Sequence, residues 1–387
     1  MSDHTKSGIK NRLCEAMERD GGLNASPLGL MLQDRFLRVD DDGKLVVETP
    51  AREHYARFEL PFKWSDVESA EDAGGFERYL SDCFDGDPLG EAKKRAIHAV
   101  NAVTLFGLPM GRPVFVLLIG RAGAGKSVLI ETLCRMFPEH ALTEIDPTKL
   151  GERFVTHDLV GKRLAYAHEV SSRRPISQKD LKTIVDRKPV RTEQKNEKAF
   201  IFTPTSQFIF ACNETPTFDG NAADEGLRRR LFAIRFLRSQ SKRAAGSNGA
   251  FKLDAGLAAR LARKSGAYIV KKALEMVPEL ATAAAYGFDW PDDIWDVCSG
   301  EAAEIASEGD TVEFFARHIY YVKGAETPSK ALYDAYRCLT NESYPGKTPL
   351  SAPQFYGRFA DAFEAAHGVQ LEPDKGAKGA RPGRASR

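Results

Sequence analysis

At 387 residues the chain is too long for one ordinary core, and its length points to two or three domains. With 42% hydrophobic and 28% charged residues it has the mix of a water-soluble globular protein, which excludes a wholly disordered or collagen-like chain. A formal net charge of +1 excludes a uniformly basic surface, so any face for a polyanion has to be local. The six cysteines are scattered with no C-x-x-C pair, so neither a zinc site nor a disulfide framework is indicated, and a reducing cytoplasm is the expected setting. The apolar runs are only strand length and Met1-Ser2-Asp3-His4 lacks a signal-peptide core, so no membrane role is expected.

Ile9 to Met17 has helical spacing. Phe36–Val39 and Lys44–Val47 flank the turn Asp40-Asp41-Asp42-Gly43, which predicts a β-hairpin. Phe58 to Trp64 reads as a short strand interrupted by Pro61, and residues 1–72 as a small mixed α/β cap. Between Gly75 and Phe106, Phe76, Leu80 and Phe84, then Ile97, Val100, Val103 and Leu105, recur at helical spacing. Asp85-Gly86-Asp87-Pro88 divides them into two helices whose aromatics are expected to be core.

Val114 to Ile119 is an unbroken apolar run, the mark of a strand buried on both faces. Gly120-Arg121-Ala122-Gly123-Ala124-Gly125-Lys126-Ser127 follows, and a helix is predicted from Val128 to Phe137. G-x-x-x-x-G-K-S between a strand and a helix is the P-loop pattern in its confirming context. The glycines let successive N–H groups curl towards a phosphate, and the positive end of the helix faces the same anion. Lys126 supplies a cation for the β- and γ-phosphates, and the Ser127 hydroxyl can ligate Mg²⁺. Gly120 through Val128 are therefore the expected nucleoside triphosphate-binding residues.

Further strands are predicted at Leu142–Ile145, Arg163–Ala167, Phe208–Cys212 and Leu231–Phe236, with helices at Thr148–Val155 and Ser177–Val185. Hydrolysis needs a carboxylate at the end of a neighbouring strand to orient water, and Glu169, just after Ala167, has that place. Asn213, at the tip of Phe208–Cys212, can touch the γ-phosphate. Arg228-Arg229-Arg230 repel one another and so call for an anion, such as the phosphate of a neighbouring subunit. Between Lys162 and Lys198 there are eleven Lys/Arg against five Asp/Glu. The excess centres on a predicted hairpin, Pro189–Glu193 and Lys198–Phe202, whose Lys195, Asn196 and Lys198 suit a phosphodiester backbone. Singly, each has a plainer reading: a surface glutamate, a turn asparagine, a solvated cluster.

Gln240 to Gly249 reads as a linker and Leu253 to Ala284 as helical. After Trp290 and Trp295 a compact unit carries helices at Val312–Tyr320, Ser329–Thr340 and Ala352–Ala366. Residues 371–387, with Lys375, Lys378, Arg381, Arg384 and Arg387, have no core-forming content and are expected to be a disordered basic tail.

Taken together, P-loop, strand with Glu169, basic hairpin, strand with Asn213 and then Arg-Arg-Leu resemble the superfamily 3 helicases. Among these the chain is similar to the phage and plasmid primase-helicases related to the poxvirus primase-helicase. Leu159-Val160-Gly161-Lys162-Arg163-Leu164, Asp180-Leu181-Lys182, Phe210-Ala211-Cys212-Asn213-Glu214-Thr215-Pro216 and Gly226-Leu227-Arg228-Arg229-Arg230-Leu231 carry the resemblance. Leu332-Tyr333-Asp334-Ala335-Tyr336 and Pro349-Leu350-Ser351 leading to Phe355 resemble the C-terminal winged helix of that family. The likeness spans roughly residues 20 to 370.

The resemblance implies an α/β chain with a P-loop AAA+-like core around a central parallel sheet. Its parts would be a cap (1–72), a helical collar (73–108), the core (109–240), a helical segment (250–306), a winged helix (307–370) and the tail (371–387). It implies an ATP-dependent DNA helicase of a phage, plasmid or other mobile element, a hexamer acting 3′→5′ in a bacterial host's cytoplasm. Lys126 and Ser127 would hold ATP and Mg²⁺, with Glu169 as catalytic acid and second metal contact. Asn213 would sense the γ-phosphate, and Arg230, with Arg229 as second choice, would reach the next subunit. Lys195 would track single-stranded or forked DNA. His168 stands where many members carry a second acid. The region before the P-loop is too short for a polymerase-like domain plus the collar, so no primase activity is expected and a separate primase or polymerase is implied. Competing readings are an origin-melting or DNA-packaging motor without processive unwinding, and a winged-helix DNA-binding protein with a structural nucleotide site.

Overall fold

The computed structural model describes residues 29–40, 44–152, 155–170, 174–193, 199–219, 225–237, 256–282, 287–309, 311–320, 322, 326–343, 349–369 and 371. The helix expected at Ile9–Met17, the Gln240–Gly249 linker, the hairpin tip and nearly all of the basic tail lie outside the described residues.

The chain enters through a small sheet. β1 (Gly29–Leu32) pairs antiparallel with β2 (Phe36–Val39), and β2 pairs antiparallel with β3 (Leu45–Glu48), the expected hairpin. β4 (Glu59–Leu60) lies parallel on the other side of β1. The stretch around Pro61 keeps only those two strand residues and then turns into a short helix, α1 (Trp64–Glu68), started by the Asp66 carboxylate accepting from the Lys63 N–H at 3.0 Å.

Two helices follow on either side of Pro88, α2 (Phe76–Phe84) and α3 (Gly90–Phe106). Then come β5 (Phe115–Gly120), α4 (Lys126–Met136), β6 (Leu142–Glu144), β7 (Leu164–Ala167) and α5 (Gln178–Val185). A hairpin of β8 (Val190–Thr192) and β9 (Phe200–Phe202) precedes β10 (Gln207–Cys212), α6 (Glu225–Arg228) and β11 (Leu231–Phe236). The helix expected at Thr148–Val155 is replaced by two single 3-10 turns, Pro147–Lys149 and Val155–Leu159. Asp146 holds the first by accepting from the Thr148 N–H, and Gly151 offers no support for continuing it.

β5, β6, β7, β10 and β11 form one all-parallel sheet in the order β11-β5-β10-β7-β6. Period-two alternation sends its two faces into two cores. Val116, Leu118, Ile209, Ala211, Phe232 and Ile234 join the core shared with α3, α4 and the long helix α7 (Leu257–Thr282). Phe115, Leu117, Phe208, Phe210, Leu231 and Ala233 join the other, under α5. This is why β5 reads as a continuous apolar run, and β10 and β11 as apolar runs broken only by Gln207 and Arg235.

α8 (Asp292–Gly309) packs along β11, and three further helices follow: α9 (Thr311–His318), α10 (Ser329–Ser343) and α11 (Ala352–His367). These three close a separate aromatic core in which Phe355 stacks on Tyr336 at 4.4 Å and on Phe359 at 5.1 Å. Among the described residues no strand pair accompanies them. No helix among the described residues is long and apolar enough to cross a membrane.

A buried ion cluster ties α3, β11 and α8 together. Lys93 is 1% exposed, and its ammonium lies 2.7 Å from Asp87 and 2.5 Å from Glu301 while donating to the Arg235 carbonyl at 3.1 Å. Glu301 also accepts from the Arg235 N–H at 2.8 Å. Lys93→Met strands two buried carboxylates and is expected to cost about 3–5 kcal/mol in urea unfolding. A loss under about 1 kcal/mol would show that the cluster does not hold these elements.

Candidate nucleotide site

The loop from Gly120 to Gly125 leaves the end of β5 and feeds the first turn of α4. Gly125 has φ 105°, and a Cβ there would lie 2.7 Å from Cys83 Sγ, so only glycine fits. α2 presses on the loop from behind: the Tyr79 hydroxyl donates to the Gly125 carbonyl at 2.8 Å. Burial pushes the Tyr79 hydroxyl well above its ordinary value and the Cys83 thiol up to about 12, so both stay protonated beside the loop. Nothing in the sequence marks this support, since Phe76, Leu80 and Phe84 read simply as the buried stripe of a helix and Tyr79 and Cys83 stand beside them unremarked.

Lys126 is buried at 5% exposure, and no carboxylate pairs with it among the described residues. Its ammonium donates to the carbonyls of Gly120 (2.5 Å) and Arg121 (3.0 Å) and to Oδ1 of Asn213 (3.1 Å). Burial pulls its pKa down, and the nearby Cys212 and Glu169 partly offset this. Asn213 in turn has Nδ2 3.5 Å from Oε1 of Glu169. Lys126, Asn213 and Glu169 thus stand in a line, because β10 lies between β5 and β7 and each strand ends at the same edge of the sheet. Ser127, Glu169, Asn213 and Arg121 are exposed at the mouth, whereas Ala124 is buried.

The arginines lie at the opposite edge, where β11 begins. Six residues of β5 separate that edge from the P-loop, roughly 20 Å at about 3.3 Å per residue. Arg230 is held within its own chain: Nε and Nη2 grip the Asp186 carboxylate at 2.5 and 2.7 Å, and Nη1 donates to the Gly226 carbonyl. Chiefly through these bonds from Arg230, Asp186 titrates below the usual carboxylate range. Arg229 is exposed, and its side chain has no partner among the described residues. The partner of Arg230 stands 44 residues away in a stretch with no motif of its own, so nothing in the sequence pairs them.

In the β8–β9 hairpin Arg191 stands opposite Ile201, which is 70% exposed, and Thr156 bonds Thr192 at 3.0 Å to fix the hairpin to the core. Lys195, Asn196 and Lys198 lie outside the described residues.

A family of unknown function, DUF5906, matches residues 118–230, the span from β5 to Arg230. No curated protein sequence matches the chain. Among solved structures it is similar to the C-terminal region of NrS-1 in its apo state. One such structure, of residues 305–718, is 16% identical with a TM-score of 0.44, covering 84% of this chain and 78% of that one. A second, the A form, is 14% identical with a TM-score of 0.45, covering 89% and 84%. At these scores the likeness is general, and the function proposed below stands on this chain's own residues.

Gly125→Ala should lose about 2 kcal/mol or more, since it meets both an unfavourable φ and Cys83. Tyr79→Phe should lose only about 1 kcal/mol, the value of one hydrogen bond. Denaturant titration reads both, and equal losses would show that backbone strain is not what fixes this position.

Proposed function

We propose that the chain is an ATP-hydrolysing motor of the superfamily 3 helicase type, acting as a ring on single-stranded DNA in the replication of a phage, plasmid or similar element. The observation that carries this is the line Lys126–Asn213–Glu169 across three adjacent parallel strand ends at the mouth of a P-loop. A site that only held nucleotide for stability would have no need of an exposed carboxylate aligned with the lysine.

In this reading the Lys126 ammonium leaves its own loop carbonyls for the β- and γ-phosphates, exchanging neutral acceptors for anionic ones. Backbone N–H groups from Gly123 to Ser127 cradle the same phosphates. Glu169 orients the attacking water and takes up its proton as the β–γ bond breaks. Asn213, bonded to Lys126 and close to Glu169, registers whether the γ-phosphate is present. The Ser127 hydroxyl and the Glu169 carboxylate are hard oxygen donors at the mouth and fit Mg²⁺, which when bound offsets phosphate charge. Arg229 is the arginine at liberty to reach a neighbouring subunit's phosphate, while Arg230 shapes its own subunit through Asp186. Residues 73–108 then serve as a collar, 109–240 as the motor, and the α9–α11 unit with the tail as a DNA-binding attachment of the winged-helix kind.

ATP turnover measured with and without single-stranded DNA tests this reading. Lys126→Ala should abolish hydrolysis, and wild-type rates in that variant would sink the assignment. Glu169→Gln should bind ATP normally and hydrolyse it about 10²–10⁴-fold more slowly.

The two arginines should separate. Arg229→Ala is expected to cut turnover by about 10³-fold with an unchanged melting temperature, and mixing it with Lys126→Ala subunits should restore part of the activity. Arg230→Ala should lower the melting temperature, because it leaves Asp186 without its main partner. Normal turnover in Arg229→Ala would remove it from the mechanism.

A further inference from the structure

Arg163 stands immediately before β7, at the sheet edge opposite the P-loop. Its guanidinium lies 5.1 Å from the centre of the Phe58 ring, in a hole that exists only because residue 107 is glycine: a Cβ there would collide with Nη1. No hydrogen bond from this guanidinium is found among the described residues. Burial, and then the charges of Arg187 and Arg57, pull it down to about 10, and no carboxylate is among its charged neighbours. A desolvated cation beside two more is costly without an anion.

The acid beside Arg187 does not supply that anion. Asp186, the acid next to Arg187, is taken by Arg230 and, at 3.2 Å, by Lys188. Arg187 spends one donor on the Leu108 carbonyl at 3.1 Å. The backbone is also strained at this place. Among the described residues only Tyr55 (φ 45°) and Arg187 (φ 53°) are non-glycine residues in the left-handed region, at a cost of about 1–2 kcal/mol each. Tyr55 is two residues from Arg57, so both flank the same guanidiniums. His140 fastens the group together, bonding the Arg57 carbonyl at 3.0 Å while its own carbonyl accepts from Lys162 at 3.0 Å.

We propose that Arg57, Arg163 and Arg187 form a phosphate-binding site, separate from the P-loop, that takes the phosphodiester backbone of a single-stranded nucleic acid. Planar guanidinium forks match phosphate oxygens, and backbone contacts of this kind need no base sequence. The place in the fold favours nucleic acid over a free phosphate ion. Arg187 is three residues before β8, and Ser206, just before β10, donates to the Lys162 carbonyl at 2.9 Å, so the cluster sits at the foot of the β8–β9 hairpin. The proposal rests on the reading that the chain binds single-stranded DNA.

Binding of a fluorescent oligo-dT across a salt titration tests it, using the wild-type chain and the double variant Arg57→Gln/Arg187→Gly. Glycine accepts the left-handed backbone at position 187 without strain, Arg57 is exposed, and the half-buried Arg163 is left in place, so the variant should fold. Loss of two phosphate contacts should make the slope of log K against log salt shallower by about 1.4 and weaken binding roughly 20-fold at 0.1 M salt. If the wild type binds and the variant keeps its slope, the phosphate site is wrong while the motor reading stands. If the wild type binds no oligonucleotide at any salt, the DNA reading fails and takes this site with it. A change in oligomeric mass with an unchanged slope would overturn the proposal and assign the cluster to a subunit contact.

Discussion

A buried ammonium that has no carboxylate has to find oxygen somewhere. Lys126 finds it in the carbonyls of its own loop and in the Asn213 amide, and much of the core follows from keeping that arrangement in place. The loop must curl tightly enough for Gly120 and Arg121 to turn their carbonyls inward, so Gly125 takes a backbone angle that other residues resist. Its outer side must be firm, and α2 supplies that through Tyr79 and Cys83. Asn213 has to arrive at the right height, which the register of β10 against β5, Cys212 beside Ile119, secures. The interaction is local, but its supports come from the helices before the core and from the middle of the sheet.

The elements easiest to read from the sequence were those where chemistry and periodicity coincide. β5 is a run of apolar residues that ends in glycine, and β11 lies at Leu231–Phe236 as the sequence predicts, because both strands are buried on two faces and Arg235 alone interrupts the apolar run of β11. Glu169 and Asn213 were legible as candidates by the same logic, a polar residue just after a buried strand, and Lys126 by the P-loop spacing of glycines before it. Their meeting was not legible, since it depends on β10 inserting between β5 and β7, and strand order leaves no local mark. Non-local pairings were hidden as well: Arg230 with Asp186, Tyr79 with Gly125, Lys93 with Glu301. β1, four residues with a glycine among them, had too little pattern to be seen. The helix expected at Thr148–Val155 failed because Asp146 and Gly151, weak as breakers singly, together favour isolated turns.

The two edges of the parallel sheet both carry cations, but they hold them differently. Where the strands end, the buried Lys126 ammonium is held by its own loop and by Asn213, with Glu169 beside them. Where they begin, Arg163 and Arg187 gather at the foot of β7 and α5, and Arg229 stands exposed before β11. The ion pair of Arg230 with Asp186 neutralises only part of that edge.

This polarity limits how copies of the chain could associate under the proposed function. A subunit that offers a cation from one surface and receives one at another cannot satisfy both in a two-fold pair, since such a pair joins like surface to like. Each contact would have to be head-to-tail, and a head-to-tail contact leaves one donor and one acceptor unused at the ends of any open stack. Only closure into a circle, or growth without limit, removes those ends. The number of subunits would then be set by a single angle, the rotation from one copy to the next, and a substitution that altered this angle could turn a closed assembly into a filament while leaving every residue of the nucleotide site untouched.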